Sequence, residues 1–387
     1  MTSSESGAPV SDNTPAHAEP VRIEYVSQSG LGAIAVSNFI LNLITLWIYR
    51  FWAKTRVRRH IWSCVHINGE PVEYTGTGGE LFTGFLVVMA VLFLPLAVIG
   101  LFLVGYFGPE SPILTLFQLA IAVALFTLYG FAIYRARRYR LSRTVWRGIR
   151  RALPGSALSY SAKYFASLLL GPITLGWSTP AMNLILAQHM TNDMRFGSTP
   201  FSFSGLAGPL YARYAICWFG TLMAVMLIVG LAISMFVSGS FAELEAILRQ
   251  FAEASETTDQ ASAYSVLAII GSMAAAYLLY VTIRSVIWSF YTALELNLFA
   301  RYTRFSGAGF EFNATAWSLI LLWLGNLVLL IVTLGVAQPF VEQRIMRYFA
   351  ERLQVVGLID FASVRQSQAA PDKRGEGLID ALDLDAF

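Results

Sequence analysis

Gly171-Pro172-Ile173-Thr174-Leu175-Gly176-Trp177-Ser178-Thr179-Pro180 interrupts an apolar run in mid-course, and the same kind of break occurs twice more along the chain. Ile44-Thr45-Leu46-Trp47 precedes it and Val332-Thr333-Leu334-Gly335 follows it. Each break stands between two triplets that end in an aromatic residue and carry Glu, Ser or Asp in the middle. The first is flanked by Ile23-Glu24-Tyr25 and Val72-Glu73-Tyr74, and the second by Leu158-Ser159-Tyr160 and Phe201-Ser202-Phe203. Phe310-Glu311-Phe312 and Ile359-Asp360-Phe361 flank the third. From the threonine to the second aromatic the three copies run 29, 29 and 28 residues. A register kept through three copies predicts one architectural unit used repeatedly.

Around these units the composition is that of a membrane protein. Of 387 residues 56% are hydrophobic and only 13% charged, against about 25% charged in soluble domains. Leu81–Gly105, Ile113–Tyr134, Tyr214–Val237 and Tyr264–Ile283 are free of charge and reach the ~20 residues that cross a hydrocarbon core. The repeat units add uncharged runs at Leu31–Tyr49, Tyr164–Ala187 and Ala316–Val341. Two topologies compete: seven transmembrane helices, or four with three broken apolar hairpins.

Charge placement favours the second. Arg50–Arg59 holds five basic residues and no acid, and Arg135–Arg151 holds eight arginines and no acid. Segment 238–263 carries five acids against Arg249 alone. Basic excess marks cytoplasmic loops. With every repeat unit entering and leaving on one face, all the triplets and arginine clusters lie in the cytoplasm and the acidic loop lies outside. Gly171-Pro172, Gly176 and Pro180 in the second unit, with Gly335 and Pro339 in the third, weaken a continuous helix. Halves of about 12–16 residues are too short to span alone but suit re-entrant hairpins. The first unit departs, with Trp47 and Phe51-Trp52 in place of Gly and Pro.

The expected fold is therefore an all-α polytopic membrane protein with a minor cytoplasmic β component: four transmembrane helices plus three repeated broken apolar hairpins flanked by short strands. Val65-His66-Ile67-Asn68-Gly69 carries a hairpin-turn dipeptide, and the strands are expected to pair around each apolar hairpin. The expected divisions are a disordered tail 1–20, repeat unit one 21–80 and a transmembrane pair 81–134. A basic cytoplasmic segment with repeat unit two follows at 135–208, then a second transmembrane pair 209–300 with periplasmic loop 238–263. Repeat unit three occupies 301–363 and a flexible tail 364–387. Both termini are expected in the cytoplasm, with the first apolar unit directing insertion.

Three stretches carry a family resemblance. Tyr74-Thr75-Gly76-Thr77-Gly78-Gly79-Glu80-Leu81-Phe82, the break Ile173-Thr174-Leu175-Gly176 with Pro180, and Arg143-Thr144-Val145-Trp146-Arg147-Gly148-Ile149-Arg150 resemble the YjgN-like family of bacterial inner-membrane proteins, over about residues 20–360. The resemblance implies a bacterial cytoplasmic-membrane protein and brings no activity or catalytic residue. The family's proline-tryptophan after the break stands here as Phe51-Trp52, Pro180-Ala181 and Pro339-Phe340.

The candidate site residues come from the repeat. Thr45, Thr174 and Thr333 head the three breaks, and His60 and His189 share an offset of 15 from them, with Tyr348 in the third unit. Arg56 and Arg344 share an offset of 11, and Arg59 and Arg347 one of 14. A ring of such groups would hold an anion or lipid headgroup; equally, they are cations at helix C-termini, where the dipole favours them. The two cysteines fit no disulfide or metal spacing. No cofactor, catalytic residue or nucleic-acid partner is expected. Expected partners are the lipid bilayer, anionic lipid headgroups and a protein that would bind the acidic–apolar C-terminal segment. Two functions compete: a transporter or channel for a small solute or lipid, and a membrane scaffold or regulator.

Overall fold

The computed structural model describes residues 18–237, 246, 258–362, 364–366 and 377. The two expected tails and the acidic loop 238–263 lie largely outside those residues. The chain forms two units, one of residues 1–205, 299–312 and 338–387, the other of 206–298 and 313–337. Ten helices are defined among the described residues: α1 (Leu31–Ile44), α2 (Arg50–Ser63), α3 (Gly78–Phe107), α4 (Pro112–Ser142) and α5 (Ala157–Ile173). They continue as α6 (Thr179–Asp193), α7 (Gly208–Val237), α8 (Thr258–Tyr302), α9 (Ala316–Val332) and α10 (Gln338–Arg352).

All three Thr-Leu breaks fold into the same turn. The Gly176 N–H donates to the Gly171 carbonyl at 2.7 Å, and Leu175 N–H donates to Pro172 at 3.1 Å. Trp47 and Gly335 repeat the long bond to Asn42 and Leu330, at 2.7 and 2.9 Å. This is a Schellman closure, which satisfies carbonyls that the helix end leaves unpaired. The threonine completes it. Its hydroxyl donates to the carbonyl four residues back (Leu41, Leu170 and Leu329, each 2.7 Å). It also accepts the N–H four residues ahead, from Tyr49, Ser178 and Ala337 at 3.0, 3.1 and 3.2 Å. One side chain thus joins the last turn of one helix to the first turn of the next. The left-handed position after it is leucine every time, with φ of 48°, 50° and 49° at Leu46, Leu175 and Leu334. A Cβ there costs roughly 1–2 kcal/mol, yet these leucines are 83%, 71% and 91% exposed.

The strands of the first unit form three antiparallel sheets. β1 (Ala18–Pro20) pairs with β13 (Leu358–Asp360), and β2 (Ile23–Tyr25), β3 (Val65–Ile67) and β4 (Glu70–Pro71) form a second sheet. The third is an eight-stranded meander. It takes β5 (Glu73–Tyr74), β6 (Thr144–Trp146), β7 (Ile149–Ala152), β8 (Arg195–Phe196), β9 (Thr199–Phe203), β10 (Thr303–Phe305), β11 (Ala308–Phe312) and β12 (Leu353–Val356) in chain order. Only one or two residues separate β1 from β2, β4 from β5 and β12 from β13. The three sheets therefore follow one another as a circuit around a shared apolar core, to which Val72, Trp146, Phe196, Phe305, Ala308 and Ile359 contribute.

Each helical pair is an excursion from this circuit, leaving from one strand and returning to its neighbour. α1–α2 departs between β2 and β3, α5–α6 between β7 and β8, and α9–α10 between β11 and β12; each of these strand pairs is hydrogen-bonded. The long excursions α3–α4 and α7–α8 leave between β5 and β6 and between β9 and β10. Two-residue turns close three hairpins, at Asn68-Gly69, Arg147-Gly148 and Ser306-Gly307, all six residues having positive φ. Such turns match the twist of the strands they join.

One expected strand is a helix instead. Leu158-Ser159-Tyr160 lies in the first turn of α5, because the Ser156 hydroxyl caps it by accepting the Ser159 N–H at 3.3 Å. The strand before the second break is β7, drawn from the arginine run. Pairing around each hairpin otherwise holds.

Among the described residues three helices are long and apolar enough to cross a membrane: Gly78–Phe107, Pro112–Ser142 and, within α7, Gly208–Gly230. The most apolar window of α3 has no buried residue, so Leu94, Leu101 and Phe102 present a bare hydrocarbon surface. A π-turn at Met89–Phe93 interrupts it where Pro95 withholds a donor. The fourth expected span, Tyr264–Ile283, falls in α8, where most side chains before position 277 lie outside the described residues. At the other end of the chain, Gly377 is buried, and its Cα faces the Gly84 backbone of α3 so closely that a Cβ would sit 2.2 Å from that carbonyl.

Candidate ligand cavity

The repeat-derived candidates are exposed or engaged in the contacts that follow. Thr45, Thr174 and Thr333 spend their hydroxyls on their own turns. Arg56 is exposed and donates to Asn38 Oδ1 at 3.2 Å and to the Tyr49 hydroxyl at 3.0 Å. Asn38 in turn donates to the Ala53 carbonyl at 3.3 Å, tying α1 to α2. Arg59 donates to the Gly76 carbonyl at 3.3 Å. Arg344 is exposed, and Arg347 pairs with Glu351 at 3.1 Å while lying over the Tyr25 ring. The expected threefold relation of His60, His189 and Tyr348 brings no contact among them. His60 Nε2 is buried without a partner, whereas Tyr348 packs on Phe312 and Arg352.

His189 belongs to a polar cluster of its own. Lys163 Nζ donates to its Nδ1 at 2.6 Å, and Asp193 Oδ2 lies 3.3 Å from its Nε2. The Tyr134 hydroxyl donates to the same Asp193 oxygen at 2.6 Å. Burial, and then the Lys163 charge, hold this imidazole below its usual range, with Asp193 opposing. Gly155 closes the cluster, since a Cβ there would meet Asp193 Oδ2 at 1.8 Å and the Tyr134 oxygen at 2.5 Å. This arrangement is a tight joint between α4, α5 and α6, in which His189 Nε2 is buried without a hydrogen bond of its own.

The open site lies elsewhere, in the first unit under the strand circuit. A cavity of about 360 Å³ is walled by two helical stripes and by the strands. Arg137, Arg140, Leu141 and Thr144 stand at i, i+3, i+4 and i+7 from the end of α4 into β6, and Met346, Phe349, Ala350 and Leu353 keep the same spacing from α10 into β12. Ile23, Val65, Ile67 and Val72 give an apolar strand wall, with Trp62 beside them. Arg151 enters from β7, on the same face as Ile149, which packs on the apolar core.

Among the described residues no acid lines this cavity. Arg151 is half-buried, and burial, followed by the charge of Arg137, lowers the affinity of its guanidinium for the proton. Arg137 is exposed and also lines the cavity. Other arginines of the same run have found partners. Arg138 donates to the Leu153 and Gly155 carbonyls, and Arg143 pairs with Glu80 at 2.6 Å. Arg147 reaches Glu19 and Glu70 at 2.8 and 3.1 Å. Among the described residues no hydrogen bond or ion pair is made by the guanidinium of Arg137 or of Arg151. The arginine run contained this signal in the 137–140–141–144 stripe, but the opposing wall is some two hundred residues away in sequence. Among the described residues no group of His, Cys, Asp and Glu is placed to hold a metal ion.

The class so defined is a mostly helical protein with membrane-length apolar helices mounted on a strand circuit that encloses a cationic cavity. The chain belongs to the DUF898 family, described as bacterial protein of unknown function, whose match covers residues 27–381. It is 26% identical over 355 residues to "Inner membrane protein YjgN" of Salmonella typhimurium (strain LT2), covering 84% of this chain and 86% of the relative. The protein of that name in Escherichia coli O157:H7 is 28% identical over 117 residues, 30% of this chain and 27% of the relative. No solved structure matches.

Proposed function

We propose that this chain is a four-pass bacterial inner-membrane protein that carries a small solute or lipid, with the cavity under its strand circuit as the cytoplasmic ligand chamber. The observation that carries the reading is the cavity itself. About 360 Å³ of space lined by apolar walls and a few polar groups falls in the range of small-molecule sites, roughly 300–1,000 Å³.

The names of the relatives support the inner membrane. Tyr264–Ile283 supplies the fourth crossing, and the three Thr-Leu units are repeats that dip into the bilayer and return. Their exposed tip leucines support this, since hydrocarbon is the medium in which such tips are at no disadvantage. Both termini, the strands and the arginine clusters then face the cytoplasm. Broken helices near a membrane face are a means by which carriers build sites.

Native mass spectrometry of the full chain released from nanodiscs tests the function. A reproducibly bound lipid or metabolite supports the carrier. A ligand-free chain that brings a stoichiometric protein partner overturns it in favour of the scaffold. Topology is tested with a single cysteine at Ser198 in a chain lacking Cys64 and Cys217. Labelling only after the cytoplasm is opened supports the four-pass arrangement, and labelling from outside refutes it.

A further inference from the structure

Arg137, which is exposed, and Arg151, which is half-buried, line one open cavity with Arg140, and among the described residues no carboxylate lines it. Arg138, Arg143 and Arg147, from the same run, have all been given protein acceptors. Among the described residues Arg137 and Arg151 have no such acceptor.

The walls define what kind of ligand fits. Planar guanidinium forks match the paired oxygens of phosphate, and charge-assisted bonds to it are strong. The remaining lining is mainly Ile, Val, Leu, Met, Phe and Trp, a surface that gains nothing from a bare hydrated ion and much from a hydrocarbon body. We infer that the cavity binds a phosphate monoester with an apolar body, its phosphate held between Arg137 and Arg151 with Arg140 beside them, and its body laid along Leu141, Phe349 and Leu353. This deepens the chamber reading by naming the ligand class, and binding is testable apart from movement. The ligand has two sources of one chemistry: a membrane lipid with a phosphate headgroup, or a cytoplasmic aryl or alkyl phosphate.

The test uses the full chain in nanodiscs of neutral lipid, titrated with 1-naphthyl phosphate, 1-naphthol and inorganic phosphate and followed by thermal shift and calorimetry. In a parallel arm, nanodiscs containing lysophosphatidic acid are compared with neutral ones. Binding of naphthyl phosphate at least tenfold tighter than naphthol or inorganic phosphate is expected for a cytoplasmic source. A thermal shift with lysophosphatidic acid alone assigns the source to the membrane. Arg137→Gln and Arg151→Gln should each weaken the positive probe at least tenfold. They should not lower the melting temperature of the ligand-free protein, because each removes a charge that has no partner. Equal binding of naphthol and its phosphate, undiminished binding in both variants, or no response in either arm overturns the proposal. So does a marked fall in ligand-free melting temperature, which would make the arginines structural. Bound phosphate with no movement across vesicles would refute the carrier and leave this inference standing.

Discussion

Replacing Leu334 by asparagine separates a hairpin tip in hydrocarbon from one in water by the sign of a single number. Leu334 is 91% exposed and holds φ at 49°, a conformation that asparagine adopts with less strain, worth up to about 1 kcal/mol. If the tip faces water, that relief is nearly the whole effect, and the variant is the more stable protein. If the tip lies in the bilayer, the change forfeits roughly 1.5–3 kcal/mol of leucine transfer and leaves an amide short of partners at a cost of about 1–3 kcal/mol. The net is then a loss of roughly 1.5–6 kcal/mol. Gly335→Ala calibrates the measurement, because nothing lies within 4 Å of its added Cβ and φ is 86°; its cost of about 1–2 kcal/mol is backbone strain in either medium. The assay is the melting temperature of purified variants in nanodiscs. A rise for Leu334→Asn alongside a fall for Gly335→Ala would refute insertion of that tip.

Three other perturbations probe the first unit. Glu80→Gln loses the half-buried pair with Arg143 and weakens the acceptor of the Tyr139 hydroxyl, so a loss of about 1–3 kcal/mol is expected. A cycle with Arg143→Met should show strong non-additivity, and simple additivity would mean that the pair does not act as one. Gly155→Ala drives a methyl into Asp193 and Tyr134 and should cost about 1–3 kcal/mol; a wild-type melting temperature would contradict the tight joint. Tyr25 is pushed up to about 12, first by burial and then by its contact with Cys64. Its folded value exceeds the ordinary 10, so its contribution to stability is complete below pH 10 and is lost as pH rises toward 12. Alkaline unfolding curves of Tyr25→Phe should be flatter across that window, and identical curves would exclude the group.

Much of the scaffold was legible because its signals are local. Asn68-Gly69 announced a turn, alternation announced β2, β9 and β11, and the Thr-Leu breaks announced where helices stop. Leu158-Ser159-Tyr160 misled because three alternating residues suit the first turn of a capped helix equally well, and Ser156 decided the matter. The Arg147-Gly148 turn was hidden inside a charge run that read as a topology signal. The cavity was less accessible to such reading. Repeat offsets pointed to Arg56, Arg59, Arg344 and Arg347, which serve exposed or local contacts, while Arg137 has no counterpart at its offset and Arg151 shares its own only with Arg22. Their meaning depends on Met346, Phe349 and Leu353 meeting them in space.

The pairing of β1 with β13 sets Ala18 opposite Asp360, and this has a bearing on manufacture. During synthesis each helical excursion begins and ends at neighbouring strands, so a membrane-insertion machine can release the excursions one after another, each already tethered at its base. The N-terminal strand alone must wait. Its partner is the last made of the thirteen strands among the described residues, so the circuit stays open until β13 has been built. A chain that loses its end in translation would leave that first strand unpaired and the apolar core uncovered at one edge, an address that quality-control proteases recognise.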